Sequence, residues 1–120
     1  MTPAQAVAHL SISFDAALGD VTPPRMLIGR VIGALIKPTM VGNDKPMQKG
    51  APTVPTFVVA DDRDLDAERA RLSVLLDRFV DGGAAACTTK PHAFFGQLTP
   101  DQWSVLMYKH LDHHLRQVGV

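Results

Sequence analysis

Trp103-Ser-Val-Leu-Met-Tyr-Lys-His-Leu-Asp-His-His-Leu-Arg-Gln117 carries three of the five histidines of this 120-residue chain. At 100° per residue, Trp103, Leu106, Met107, His110, Leu111, His114 and Val118 share one face of a helix. That face is apolar and belongs in a core. His110 and His114 lie near its middle, one turn apart, with side-chain origins roughly 5–6 Å from each other. Two imidazoles so placed either hydrogen-bond within the core or share one divalent cation. His113 sits at the edge of the face and is the weaker donor.

Outward from this helix, strong punctuation separates three more helical segments. Thr99-Pro100-Asp101-Gln102 opens the last helix, which should close near Gly119. Thr2-Pro3-Ala4-Gln5 opens the first with the same signal: a cap, a proline at the first helical position and a glutamine completing a capping box. The first helix should run to Leu18 and stop at Gly19. A second, after Thr22-Pro23-Pro24, is expected over about 24–36, ending before Pro38. Its Ile28, Val31, Ile32, Leu35 and Ile36 make a broad face for burial, and Gly29 and Gly33 permit a close helix–helix approach. The third should span about 64–81, with Leu65, Leu72, Leu75, Leu76 and Phe79 inward and Gly82-Gly83 ending it.

Residues 38–63 form a long connection of the kind that serves as a lid, a site wall or a partner contact. A strand-like run, Thr56-Phe57-Val58-Val59, should anchor it. Pro52, Pro55, Phe57 and Val59 favour a packed course, and Gly42-Asn43-Asp44-Lys45 an exposed turn. A second loop, 83–98, contains His92. The class is all-α, a helical bundle.

Size and composition set further bounds. One domain, 1–120, is expected, burying roughly two-thirds of the surface its unfolded chain exposes. Twelve basic residues balance twelve acidic ones, with no long run of one sign, so neither a nucleic-acid surface nor an anionic-membrane surface is expected. The apolar stretch 26–36 is too short to span a membrane, and a cytoplasmic location is the default. The single cysteine, Cys87, reads as structural. The sole glutamate, Glu68, reads as a favourable charge in the first turn of its helix. Asp112 and Arg116 read as an i, i+4 surface pair, and Tyr108 and Lys109 as solvent-facing or interface residues. Gln5 reads as a cap residue and Ser13 as a packing residue.

A third histidine for the pair could come from the first helix. Its large stripe is Val7, Leu10, Phe14 and Leu18; beside it runs a lane of small side chains, Ala6, Ser13 and Ala17, with His9 on the far border. His9 points more than 90° from the stripe's centre, so periodicity alone leaves it either solvent-facing or a ligand.

Ala4-Gln-Ala-Val-Ala-His-Leu-Ser-Ile-Ser-Phe14 resembles the helix bearing the first metal histidine in the DinB-like superfamily. His92-Ala-Phe-Phe-Gly-Gln-Leu-Thr99 and Tyr108-Lys-His-Leu-Asp-His-His-Leu-Arg-Gln117 resemble the signature of one bacterial subfamily of unknown function within it. The resemblance implies a four-helix bundle with a divalent metal on His9, His110 and His114. His92 has the place of that subfamily's loop histidine, to which the resemblance gives no role; it either makes a structural hydrogen bond across its loop or lines the pocket entrance and orients a substrate. The resemblance also implies a helix ahead of the one carrying His9, the usual first helix of the fold, which this sequence lacks. A homodimer is therefore expected, with a second copy supplying the missing wall through the Ile28–Ile36 face or the Val7–Leu18 stripe.

Three imidazoles meet the protein-ligand count of a catalytic zinc site. Zinc or nickel is the leading expectation, with iron or manganese also compatible. DinB-like relatives include enzymes that use low-molecular-weight thiols, which implies here a metal-dependent thiol transferase acting on a small electrophile. The rival expectations are a noncatalytic metal-binding or stress-associated protein, and a structural fragment working by association. The sequence offers no glutamate beside either histidine, no serine-nucleophile elbow, no phosphate loop and no dinucleotide fingerprint.

Overall fold

The computed structural model describes residues 2–42, 45–46 and 57–117. Four helices follow in order: α1 (Pro3–Leu18), α2 (Leu27–Val41), α3 (Leu65–Ala86) and α4 (Pro100–Gln117). Among the described residues there is no strand, only a single antiparallel bridge between His92 and Gly96. This all-α, four-helix arrangement matches a DinB-like helical bundle.

Local chemistry sets the ends of α1. The Thr2 hydroxyl accepts the Gln5 backbone N–H, and the Gln5 side chain accepts the Thr2 N–H, closing the capping box. Gly19 takes a left-handed conformation, φ 84°, and its N–H donates to the Ala16 carbonyl. Between these stops α1 is buried almost all round: Ala4, Ala6, Val7, Ala8, His9, Leu10, Ser11, Ser13, Phe14, Ala16 and Ala17 are all out of solvent. A helix buried on every side is the central element of its domain.

The others pack around it. Asp15 and Asp20 of α1 and its C-terminal turn pair with Arg71 and Arg78 of α3, so α1 and α3 run parallel. The backbone of Thr88 donates to Ala17 at one end of α1, while His110 meets His9 nearer the other. Helix α4 meets α1 where both His110 and His114 face His9. Trp103, Leu106 and Met107 of α4 join Leu10, Phe14, Leu72 and Leu75 in one core. Thr99 and Gln102 repeat the capping box at the start of α4.

Helix α2 departs from the sequence expectation in three ways. It begins at Leu27 rather than 24, because the Met26 N–H is drawn to the Ala93 carbonyl and holds the preceding segment extended. It continues through Pro38 to Val41. Proline forfeits one intrahelical hydrogen bond, but continuing the helix buries Met40 and Val41 in the main core. Its broad apolar face is also mostly outside: Ile32 and Ile36 touch the core, whereas Leu27, Ile28, Val31 and Leu35 are exposed, the last three by 54%, 76% and 79%. The inward side is the glycine side. Gly29 and Gly33 let the backbone of Phe94 lie directly on α2, so their close approach is to a loop rather than to another helix. The loop inserts Phe94 and Phe95 into the core in place of α2 side chains.

Helix α3 starts under an Asp64 cap that accepts the Ala67 N–H. Its regular course breaks at Gly83, φ 58° and ψ −148°, after which one more turn reaches Ala86. The glycine stop is thus present, with a helical turn beyond it. Leu72 and Leu75 are buried, Leu76 and Phe79 pack on the core, and Leu65 is 39% exposed. Glu68 lies in the first turn as expected, and Arg63 and Arg71 flank it. In the long connection, Phe57 and Val59 are buried and Val58 is exposed. The alternation of a strand is kept with no partner strand among the described residues, and Phe57 packs with Ala16 and Ala93. Asn43, Asp44, Pro52, Pro55 and Thr56, and the C-terminal residues from Val118, lie outside the described residues.

The glycine contact yields a stability test. A Cβ on Gly29 would lie 2.7 Å from the Phe94 Cα and closer still to its carbonyl oxygen. Gly29→Ala should therefore lower stability by about 1–2 kcal/mol, although alanine is the better helix former. Urea denaturation checks this, and an unchanged or raised midpoint would contradict the close approach.

Candidate metal centre

The apolar face of α4 turns His110 and His114 toward α1, where the small side chains around His9 leave room for a third imidazole. The three ring centroids form a nearly equilateral triangle, with His9–His110 at 4.8 Å, His9–His114 at 4.6 Å and His110–His114 at 4.7 Å. One nitrogen from each ring lies within 4.8 Å of the others. His9 is 2% exposed and His114 is also buried; His110 is partly so. Among the described residues no carboxylate or thiol joins the group. A buried histidine triad suited to metal coordination is present.

Hydrogen bonds fix the orientation of two of the rings. The Phe57 carbonyl lies 2.7 Å from His9 Nδ1. A carbonyl can only accept, so Nδ1 carries the proton and His9 Nε2 presents a lone pair to the centre of the triad. That Nε2 is 2.9 Å from His110 Nε2; with His9 accepting, His110 Nε2 donates in this arrangement. On the other side His114 Nδ1 donates to Gln117 Oε1 at 3.0 Å, and the Gln117 amide group also reaches His113 Nε2 at 3.2 Å. Metal-binding histidines characteristically give their second N–H to such acceptors, which set ring tautomer and direction. The donor set and its supports fit a divalent cation.

Burial holds these imidazoles neutral. It pushes His9 down, against the Phe57 carbonyl, which favours the charged form. His110 is lowered well below the ordinary range by burial and by its histidine neighbours, His9 first. Burial brings His114 to about 4, with His9 and His113 adding to the effect and Gln117 opposing it. Neutral imidazole is the form that ligates metal.

His92 lies outside the triad. Its Nδ1 accepts the backbone N–H groups of Phe94 and Phe95, at 3.0 and 3.1 Å, and its ring packs on Phe95 and Trp103. Burial and the Arg25 charge lower it to about 4.

Several residues take places that their sequence positions did not announce. Gln117 orients His114; its only sequence signal is the three-residue spacing. The Phe57 carbonyl orients His9 from 48 residues away, and a backbone group has no residue signature. Lys109, expected at the surface, is 2% exposed and donates to the Thr39 carbonyl near the end of α2. Tyr108 is exposed, 63%, and Asp112 pairs with Arg116 as expected. Cys87 stands beyond the Gly83 break, half-buried, and its burial raises the thiol pKa, as suits a structural rather than a nucleophilic cysteine. Gln5 caps α1 and also donates to the Asp61 carbonyl. Ser13 turns back onto the His9 carbonyl.

The match to one family model runs over residues 2–119, nearly the whole chain, and the family is described as DUF1569, a protein family of unknown function. The chain belongs to the DUF1569 family. No curated protein and no solved structure shows significant similarity to this DUF1569 chain. No helix among its described residues is long and apolar enough to cross a membrane.

The depressed histidines make stability depend on pH in a definite direction. Between pH 6.5 and about 4 the unfolded chain binds protons at histidines that stay neutral in the fold. Their contribution is fully present above pH 6.5 and is lost as the pH falls toward 4. The thermal midpoint of metal-free protein should drop between pH 7 and 5, before most carboxylates titrate. A midpoint that is flat across that range would show that the imidazoles are not held neutral.

Proposed function

We propose that His9, His110 and His114 bind a divalent metal, zinc or nickel first, and that the protein uses it to activate a low-molecular-weight thiol toward a small electrophile. The observation that carries the metal reading is the triangle itself, with His9 and His114 each steered by a dedicated acceptor. A divalent cation at such a centre stabilises negative charge at its open position, favouring thiolate over thiol. The thiol part draws support from the donor set. Among the described residues the group consists of three histidines with no carboxylate in it, so no protein ligand would offset the charge of the cation, which would favour an anion at its open position. A free thiol, with a pKa near 8.5, needs far less help to ionise than water. The net reaction would exchange the sulfur's proton for a bond to carbon, with the leaving group departing with the electron pair of the broken bond.

In this reading the chain's own residues bind and orient. His9 and His114 are held by the Phe57 carbonyl and by Gln117, while Leu106, Met107 and Phe57 keep the surroundings apolar. A noncatalytic metal protein would use the same ligands and differ in having no thiol response.

Calorimetric titration with zinc tests the centre. One ion per chain is expected. His114→Ala should weaken binding by at least about 100-fold, and Gln117→Ala by about tenfold, because a supporting residue typically matters to that extent. Unchanged affinity in His114→Ala would remove the triad from consideration. Tight zinc binding with no spectroscopic response of the cobalt-substituted protein to a small thiol would leave the noncatalytic reading.

We also propose that a second copy of the chain covers α2. Leu27, Val31 and Leu35 form a straight i, i+4, i+8 stripe with Ile28 beside it, all exposed, and a stripe of this kind is self-complementary across a two-fold axis. Sedimentation equilibrium should give about twice the chain mass of 13.0 kDa, and Val31→Lys should shift it to the monomer. A folded wild-type monomer at all concentrations would exclude the dimer.

A further inference from the structure

Gln5 and His9 stand four residues apart on α1 and so share one side of it, one turn or roughly 6 Å apart along the axis. Each holds a backbone carbonyl of the same incoming segment. His9 Nδ1 donates to Phe57 at 2.7 Å, and Gln5 Nε2 donates to Asp61 at 3.0 Å. Among the described residues these are the two hydrogen bonds that join the backbone of 57–61 to another element.

The Gln5 amide has one possible orientation. Its Oε1 accepts the Thr2 N–H at 2.9 Å, and a backbone N–H can only donate; its Nε2 faces a carbonyl, which can only accept. One side chain thus closes the cap of α1 and ties the segment down. A little further along, Arg63 joins the Asp61 carboxylate to Glu68, at 3.1 and 3.3 Å, which anchors the same segment to α3. Of these two anchors, the Gln5 tie is the one on the helix that carries His9, so it sets the segment's register against that imidazole.

We infer that Gln5 is a positioning residue for the metal centre. By holding the Asp61 carbonyl against α1 it keeps the Phe57 carbonyl on His9 Nδ1, which leaves His9 Nε2 facing His110. This rests on the metal reading above, but not on the thiol as the ligand. An imidazole whose second nitrogen has lost its acceptor must be ordered as the metal arrives, and affinity falls accordingly.

Glutamate separates this role from the cap. In Gln5→Glu one carboxylate oxygen still accepts the Thr2 N–H, since glutamate serves in a capping box as glutamine does, while the other meets the Asp61 carbonyl with no proton to give. Thr2→Ala does the reverse: it removes the hydroxyl that accepts the Gln5 N–H and leaves the Gln5–Asp61 bond in place. Zinc affinity of wild type and both variants would be measured by calorimetry. Thermal unfolding and the exchange rate of the His9 Nδ1–H, followed by nitrogen-15 NMR of the metal-free protein, would be measured alongside. For Gln5→Glu the expected result is an unchanged unfolding temperature, faster exchange of the His9 Nδ1–H and zinc binding about fivefold weaker, which is what one ordinary hydrogen bond is worth. The added negative charge would by itself favour a cation, so charge does not account for such a loss. Thr2→Ala should unfold at a lower temperature with zinc affinity and His9 exchange as in wild type. Wild-type zinc affinity in Gln5→Glu would overturn the inference and leave the metal centre standing. Weaker zinc binding with His9 exchange unchanged would overturn it too, because the effect would not pass through the Phe57 carbonyl. Equal losses of affinity in both variants would show that affinity follows the cap and not the tie, and would also overturn it. Failure of wild type to bind zinc would remove the metal reading and this one together.

Discussion

Everything in this domain depends on one helix being wrapped on all sides. Helix α1 can be enclosed because so much of its surface is alanine and serine, which lets α3, α4 and the inserted loop approach its backbone. Each contributes through a different chemistry: α3 through apolar packing bordered by the Asp15–Arg71 and Asp20–Arg78 pairs, α4 through Trp103, Leu106 and Met107, and the connection through Phe57. Enclosure then decides the character of His9. An imidazole in the middle of such a helix has no water to fall back on, so its two nitrogens must be satisfied by the Phe57 carbonyl and by the facing histidine.

The helix starts were legible because they rest on short-range rules. Thr2–Gln5 and Thr99–Gln102 close the same box in the structure that their spacing implies. The His110–His114 pair was legible for the same reason, since four residues along a helix is a local relation. His9 was harder. Measured against the Val7–Phe14 stripe it points away, and that is informative only if one side of α1 is buried. Because α1 is enclosed, a direction away from one neighbour is a direction toward another.

Helix α2 shows where local rules fail. Leu, Ile and Val are strong signals for burial, and Pro38 is a strong signal for a stop, yet the apolar stripe faces outward and the helix passes through the proline. What overrides them is tertiary: the backbone of Phe94 needs a surface without side chains, and Gly29 and Gly33 supply it. The loop's aromatic rings then occupy the core, and burial of Met40 and Val41 outweighs one missing hydrogen bond. A glycine pair states that something comes close without stating what. The supports given by Gln117 and by the Phe57 carbonyl were hidden for a related reason, as they are defined by the folded arrangement rather than by residue type.

Lys109 bears on the angular setting of α4. Its side chain is anchored at the Thr39 carbonyl of α2, and the next residue, His110, lies 100° further around the helix. An ammonium group out of solvent tolerates little displacement from its acceptors, so α4 is not free to roll about its axis. A roll of even a fraction of a turn would withdraw the lysine from α2 and carry the two imidazoles off His9. The lysine thus serves as a rotational stop on the far side of the helix, and the histidines inherit their alignment from a contact in which none of them takes part.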